Sequence, residues 1–288
     1  PLVVVMAALD RARIEIFARA KGITDVDRLF AELDRQNLWS FARRPTDLDW
    51  LVGYWRSEGR FGSLQEMLDV SITQRLEGTN TSRSRGDALD AVKARAVVER
   101  IAAALVLQRL DTLVVPDTDG EARHDVAFLD LKDIAPDLSP GEQNALINRP
   151  MFDPATPGFV RLHHDNQGAV RGFLAAKWLV RLRKDGNLPV SRIFELLFAE
   201  SYGVKLVIPS KRATAAWLAL WDAEVAQEIV GRDPRLLMDA GDPSSLKLEI
   251  RIRALDGILK TAVEDEHFSI PDRDALRRFA QPDLTGYV

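Results

Sequence analysis

Apolar residues recur along most of this chain at the three- and four-residue spacing of an amphipathic helix. In residues 8–20, Ile14, Phe17 and Ala20 fall among arginines and glutamate. The longest such pattern covers residues 87–113 and places Leu89 and Ile101 on its apolar side. The same spacing predicts helices over residues 25–37, 39–43, 46–57, 63–77, 139–148, 167–184, 191–201, 210–230, 234–240, 244–264 and 271–280. The sequence therefore predicts a mainly α fold.

Glycine, proline and small polar residues mark the ends of these predicted helices. Gly22 should end the first helix in the left-handed conformation that glycine adopts readily. The run Ser139-Pro140-Gly141-Glu142 predicts a capping box, with proline at the first helical position. The turn-rich segment at residues 116–123 predicts a domain boundary. Residues 202–209 are interpreted as a connector between two helices.

Strand-like patterns are rare in the chain. Residues 2–6 are apolar and β-branched, which is typical of a buried strand, but no second strand of that kind follows for over 100 residues. We therefore interpret residues 1–9 as the last strand of a sheet whose other strands lie upstream. A strand in a local hairpin, or an irregular N-terminal arm, is the alternative.

A small mixed unit is predicted at residues 124–186. Residues 159–163 form a strand that follows a loop rich in proline and glycine and precedes the helix at 167–184. Helix, helix, hairpin and helix in this order are compatible with a winged helix with a short β wing. Beyond it, residues 187–288 are helical with short breaks. Two similar breaks, Gly231–Pro234 and Gly241–Pro243, suggest stacked helices of the HEAT type, although no clean period is visible.

Composition narrows the classes of function. The chain has 288 residues, no cysteine and a net charge of −4, which excludes disulfides and thiolate metal sites and gives no reason to expect nucleic acid as a partner. No apolar run approaches the roughly 18 residues of a membrane span, so we expect no membrane association and a cytoplasmic location. The chain has no glycine-rich phosphate loop of the G-x-x-x-x-G-K-[ST] type. Alone, it should not hydrolyse ATP.

Two adjacent histidines, His163 and His164, are the candidate polar site. On a strand they face opposite sides, so metal binding by both is not expected. One reading is a core histidine beside a surface histidine. The other is that one of them donates a hydrogen bond to a phosphate. The basic residues of the following helix could instead contact DNA; they are Arg171, Arg181, Arg183 and Lys184.

Two blocks of sequence carry a family resemblance. The first contains LDRARIEIFARAKGITDVDRLFAEL and LWSFARRPTDLDWLVGYW, and the second is GFVRLHHDNQGAVRGFLAAKWLVRL. They resemble the helical domain and the winged helix of bacterial NACHT-type STAND proteins, which are nucleotide-dependent switches. Gly172 stands where the family commonly has glutamate, and the family histidine usually lies nearer the helix, where this chain has Gln167.

The resemblance implies a regulatory role, with residues 10–116 as the helical domain. Pro45 would pack on the adenine of ADP or ATP, and His163 or His164 would approach the phosphates. The nucleotide and Mg²⁺ would be held by an upstream core of the same polypeptide, so the parent protein would be an ATPase switch, in bacterial anti-phage defence. Protein partners and an oligomer of the parent are also implied.

Two other functions remain open at this point. The chain could be a helical-repeat scaffold that binds only proteins and has no nucleotide role. It could also be a winged-helix protein that binds DNA through its basic helix. Upstream sequence containing a phosphate loop would favour the nucleotide switch, and salt-dependent DNA binding would favour the winged-helix DNA binder.

Overall fold

The structure is a computed structural model that describes residues 8–35, 38–43, 45–77, 89–115, 127–163 and 169–264, together with Phe279 and Leu284. Over these residues the protein is mainly helical, as the spacing of apolar residues predicts, and it also has two small β-sheets. The predicted strand at residues 2–6 lies outside the described residues, as does most of the predicted helix at 271–280.

Four helices form an N-terminal unit, namely α1 (Arg11–Ala20), α2 (Val26–Arg35), α3 (Trp39–Ala42) and α4 (Pro45–Glu58). The Asp10 carboxylate caps α1 by accepting a hydrogen bond from the main-chain N–H of Arg13 at 2.8 Å. Gly22 has a φ of 88°, which confirms the predicted glycine at the end of this helix.

Two longer helices follow, α5 (Leu64–Glu77) and α6 (Ala91–Gln108). Asp90 caps α6 by accepting hydrogen bonds from the main-chain N–H groups of Val92 and Lys93, at 3.0 and 3.1 Å. The helix ends where Arg109 takes a left-handed conformation with φ of 58°. The helix predicted over residues 87–113 is therefore shorter than expected, because its last residues turn away into a strand.

The larger sheet contains β1 (Leu113–Val114), β2 (Leu129–Asp130), β3 (Phe152–Pro154) and β4 (Phe159–Leu162) in the order β2-β1-β4-β3. The β1–β2 pair is parallel, whereas β1–β4 and β3–β4 are antiparallel. Because β1 precedes residue 116 and its partners follow it, the sheet spans the boundary predicted at residues 116–123.

Three helices accompany this sheet, namely α7 (Leu131–Ile134), α8 (Pro140–Ile147) and α9 (Ala169–Lys184). The capping box predicted for α8 is confirmed. The Ser139 hydroxyl accepts from the Glu142 main-chain N–H at 3.2 Å, and the Glu142 carboxylate accepts from the Ser139 N–H at 2.8 Å. Helix α9 packs against α6 on one side.

The C-terminal region contains a hairpin that the sequence reading missed. Helix α10 (Val190–Leu197) leads into β5 (Phe198–Ser201), which pairs with β6 (Val204–Val207). The helix predicted over 191–201 is therefore present but ends at Leu197, and the connector predicted over 202–209 was wrong because these residues contain the turn and β6. Tyr202 and Gly203 both have positive φ, 53° and 76°, as the tight two-residue turn of a hairpin requires.

Four further helices complete the described chain, namely α11 (Arg212–Leu218), α12 (Ala223–Arg232), α13 (Leu236–Asp239) and α14 (Leu248–Glu264). The single helix predicted over 210–230 was wrong, because the chain turns after α11 and Asp222 caps α12. Trp217 lies in α11 and Trp221 in that turn. Both rings nevertheless pack on Phe173, with centroids 5.0 and 5.8 Å away.

The buried apolar side chains form two clusters. The first cluster runs from Ile14 to Met67 and belongs to the N-terminal unit and the start of α5. The second cluster runs from Leu68 to Phe279 and is centred where α9 packs between α6 and α11. Helix α5 contributes buried side chains to both cores, and Trp50 of α4 also packs against both.

Candidate functional site

An open cavity of about 460 Å³ lies beside the start of α1 in the N-terminal unit. It forms where α1, the end of α2 and the short helix α3 converge. Its lining combines apolar, aromatic and charged side chains and includes Leu9, Arg11, Ile14, Asp34, Trp39 and Arg43.

The polar groups of the cavity are held in place by specific contacts. The guanidinium of Arg11 lies over the rings of Phe30 and Trp39, 4.6 and 5.6 Å from their centroids. The indole N–H of Trp39 donates to the Asp34 carboxylate at 2.5 Å. The main-chain N–H of Leu9 donates to the Arg43 carbonyl at 2.7 Å, which ties the two sides of the cavity together.

These groups suit the binding of a ligand. An indole ring and guanidinium groups attract a flat or negatively charged ligand through stacking and charge-assisted hydrogen bonds. The Asp34 carboxylate is engaged by Trp39. Among the described residues, the lining includes no histidine, serine or lysine.

Pro45 lies close to this cavity in sequence but is not part of its lining. It is the first residue of α4, where its missing N–H and fixed φ suit the helix start. Arg43, which does line the cavity, is two residues earlier. The predicted adenine contact is therefore two residues from the cavity in sequence and is not itself part of the lining.

His163 lies at the end of β4 and has an acidic partner. Its Nδ1 is 2.9 Å from the Asp153 carboxylate, and its main-chain N–H donates to the Met151 carbonyl at 2.9 Å. When the Nδ1–H of a neutral imidazole donates to the Asp153 carboxylate, Nε2 has no hydrogen and can only accept a hydrogen bond. His163 could thus donate to a phosphate only in its protonated form. His164 lies outside the described residues.

Asp153 also faces a buried cation. The guanidinium of Arg75, on α5, donates to the Pro150 carbonyl at 3.3 Å. Burial lowers the pKa of Arg75, and the negative charge of Asp153 opposes that effect. The pair formed by His163 and Asp153 is thus linked to α5 through the interaction of Asp153 with Arg75. Pro45 and His163 belong to different parts of the fold, the first beside the N-terminal core and the second on the sheet.

The basic residues of α9 are largely paired with acids. Arg171 contacts Asp111, and Arg181 contacts the buried Glu99 at 2.5 Å. Arg183 contacts both Asp222 and Glu224. Helix α8, which would be the groove-reading helix of a winged-helix DNA binder, contains no lysine or arginine. The geometry therefore gives little support to DNA binding through this surface.

Two further features concern the described part of the chain. It contains no group of three or more histidine, cysteine, aspartate or glutamate side chains placed to hold a metal ion. None of its helices is both long and apolar enough to cross a membrane.

Sequence reasoning missed the residues that build the cavity. Trp39 and Arg43 were visible only as parts of a short helical segment before Pro45, and Arg11 only as a polar position of α1. Their convergence depends on how α1, α2 and α3 pack, which no local pattern reports. It also missed two buried charged residues, Arg149 and Asp242, because charge in a sequence normally indicates exposure.

Comparison with known proteins does not assign the chain. No protein-family model matches the sequence, and no curated protein matches it.

Proposed function

We propose that this chain is the regulatory region of a NACHT-type STAND ATPase switch, in which a helical domain and a winged helix close over a nucleotide held by an upstream core. The chain would not hydrolyse ATP alone. It would respond to ADP or ATP with Mg²⁺ only within the longer parent polypeptide, with a role in bacterial anti-phage defence. The observation that carries this proposal is the cavity beside Pro45.

The cavity supports the proposal because its chemistry suits a nucleotide. The ring of Trp39 offers a surface on which a base can stack, and Arg11 and Arg43 offer positive charge. The family resemblance independently points to Pro45 as an adenine contact, and Arg43 lies two residues before it. In the proposed complex, Pro45 and the cavity would form one side of the nucleotide site.

The order of elements from α6 to α9 also favours the winged helix. The order α6, β1, β2, α7, α8, β3, β4, α9 is helix, two short strands, two helices, hairpin and helix. Strand β2, which pairs in parallel with β1, is an addition to the winged-helix order. Within the sheet, β1, β4 and β3 form an antiparallel group, in which the β3–β4 hairpin would be the wing. In this proposal, α6 and β1 belong to the winged helix as well.

Gly172 departs from the family pattern for a physical reason. A Cβ atom at this position would lie 2.8 Å from the Cβ of Ala213, so a glutamate could not fit without separating α9 and α11. We interpret the glycine as an adaptation to this packing. The helices after α9 would be the HEAT-like stack that leads to a sensor region and binds protein partners.

The phosphate contact is assigned to His163 or His164. His163 has the Asp153 carboxylate at 2.9 Å, which orients the imidazole. Exchange of ADP for ATP would then change the contacts made by the wing and shift the winged helix relative to the N-terminal unit.

Calorimetric titration of ADP tests the proposal in the full natural polypeptide that contains residues 1–288. Pro45→Ala should weaken ADP binding by up to about tenfold, because it removes roughly one or two apolar carbon contacts. Pro140→Ala is the matched control, since Pro140 also begins a helix but lies in α8. Equal affinities for the Pro45 variant and the unmodified protein would contradict the adenine contact. A natural polypeptide without an upstream phosphate loop would refute the switch itself.

A further inference from the structure

Helix α5 connects the two hydrophobic cores and is held by side chains that come from distant parts of the chain. Met67 belongs to the first core, whereas Leu68, Ile72 and Leu76 belong to the second. Together with Trp50 of α4, which packs against both cores, this helix connects the N-terminal unit to the rest of the described chain. Charged contacts at the start, middle and end of α5 decide how firmly it is docked.

The start of α5 is capped from a remote loop. The Asp242 carboxylate, only 3% exposed, accepts a hydrogen bond from the main-chain N–H of Gln65 at 3.0 Å. It also accepts from the hydroxyls of Ser244 and Ser245, at 2.6 and 2.9 Å. An N-cap is normally the residue that precedes its helix. Helix α5 has such a local cap in Ser63, whose hydroxyl accepts from the Glu66 main-chain N–H at 3.2 Å. The Asp242 carboxylate, 177 positions away, adds a second cap at the Gln65 N–H.

The middle of α5 is bound to α6 and α9. The Asp69 carboxylate contacts the guanidinium of Arg95, on α6, at 2.7 Å. It also contacts the ammonium of Lys177, on α9, at 3.4 Å. One acid on α5 thus joins the two helices at the centre of the second core.

The end of α5 is capped by a buried cation. The guanidinium of Arg149, 8% exposed, donates to the carbonyl of Leu76 in the last turn of α5 and to the carbonyl of Leu89 just before α6. Arg75, one residue earlier on α5, donates to the Pro150 carbonyl. The last carbonyls of a helix have no partner within it, and the contact from Arg149 to Leu76 satisfies one of them.

The signs of these charges match the helix dipole. A negative carboxylate lies at the N-terminal end of α5 and a positive guanidinium at its C-terminal end, and each interaction stabilises the helix. Both charged groups come from residues outside α5. The helix dipole of α5 is therefore best compensated when α5 is docked on the body of the protein.

We propose that α5 is a coupling helix, docked by the three charged contacts at Asp242, Asp69 and Arg149, and that loss of one of these contacts loosens α5 locally while α1, α2 and α9 stay folded. These contacts act at different positions along α5. Loss of the Asp242 cap frees the end next to the N-terminal core. Loss of the Asp69 contacts loosens the hold of α6 and α9. This inference rests on the contacts of α5 and is independent of any nucleotide role.

Amide hydrogen exchange on the full chain, read by mass spectrometry, tests this proposal. In Asp242→Ala, the peptide covering residues 64–77 should exchange about tenfold faster, since removal of an N-cap typically changes a helix equilibrium by a factor of this order. Peptides from α1, α2 and α9 should be unchanged. Asp242→Asn should have a smaller effect, because asparagine still caps but has no charge. Asp69→Asn should accelerate the same peptide.

The matched control is Asp10→Ala, which removes a cap from its own helix. Asp10 caps α1 locally, so this variant should accelerate exchange only in the first turn of α1. The proposal is overturned if Asp242→Ala accelerates α1, α9 and α5 to the same extent, because the contact would then serve global stability alone. It is also overturned if neither Asp242→Ala nor Asp69→Asn changes the exchange of residues 64–77.

Discussion

Replacement of Arg149 by methionine should be among the most destabilising single substitutions in this protein. The Arg149 side chain is 8% exposed, and its guanidinium donates to the main-chain carbonyls of Leu76 and Leu89. Burial lowers the pKa of this guanidinium, and the nearby negative charge of Asp90 opposes that effect. The side chain nevertheless stays charged, because an arginine pKa lies far above neutral pH.

The magnitude follows from the groups that lose a partner. A buried carbonyl without a hydrogen bond costs about 1–3 kcal/mol, and Arg149→Met leaves two of them open. Arg149→Met also removes the desolvation cost of a buried charge, which offsets part of this loss, and methionine fills much of the same volume. We therefore expect a loss of about 2–4 kcal/mol in the free energy of unfolding. Arg149→Lys should lose roughly half as much, because one ammonium cannot reproduce the planar fork that reaches both carbonyls.

Equilibrium unfolding in urea at neutral pH measures this loss from the shift in the transition midpoint. The control is Arg192→Met. Arg192 pairs with Glu195 on the surface, where its side chain is 66% exposed, so this variant should change stability by less than about 0.5 kcal/mol. If Arg149→Met unfolds at the same urea concentration as the unmodified protein, the two carbonyl contacts do not stabilise the fold and the reasoning is refuted.

Three further predictions address local features. Gly172→Ala should cost about 1–3 kcal/mol in urea unfolding, since its Cβ would lie 2.8 Å from the Ala213 Cβ, whereas Gly53→Ala, with open space in α4, should be neutral or stabilising. Tyr202→Asn should stabilise the β5–β6 hairpin by about 0.5–1 kcal/mol, because Tyr202 is fully exposed with φ of 53°, a conformation that asparagine tolerates better; an unchanged midpoint would contradict this. Burial and the neighbouring Glu66 carboxylate raise the pKa of Tyr54 to about 12. Because this folded-state pKa is above the unfolded value, the contribution of Tyr54 to stability is complete below about pH 10 and lost between there and pH 12. Unfolding followed against pH should therefore show a shallower alkaline decline in Tyr54→Phe, and an identical decline would count against it.

Several local features of the fold could be predicted because they depend on neighbouring residues. The capping box at Ser139 and Glu142 and the glycine at position 22 are satisfied within a few residues of chain, so their signals stand in the sequence. The hairpin at residues 198–207 was missed because Tyr202 occupies a turn position where glycine or asparagine is the usual signal. The break after Leu218 was missed because apolar spacing continues through the turn to Trp221.

The candidate site could be predicted only in part. The sequence pointed to Pro45, which is not part of the cavity lining; the nearest lining residue along the chain is Arg43. Trp39 and Arg11 meet there because of helix packing, which no spacing rule describes. His163 was singled out as a phosphate donor, but its partner Asp153 lies on the opposite strand of a hairpin, and that pairing depends on strand register.

By itself, the sequence determined that this protein is mainly helical and where most helices begin, because helix periodicity and caps are local properties of the chain. Only the tertiary structure decided that the chain contains two cores joined by α5, and that Asp242 and Arg149 are buried at the two ends of that helix. The physical reason is distance along the chain. A carboxylate that caps a helix 177 positions away carries no sign of that role in its own neighbourhood.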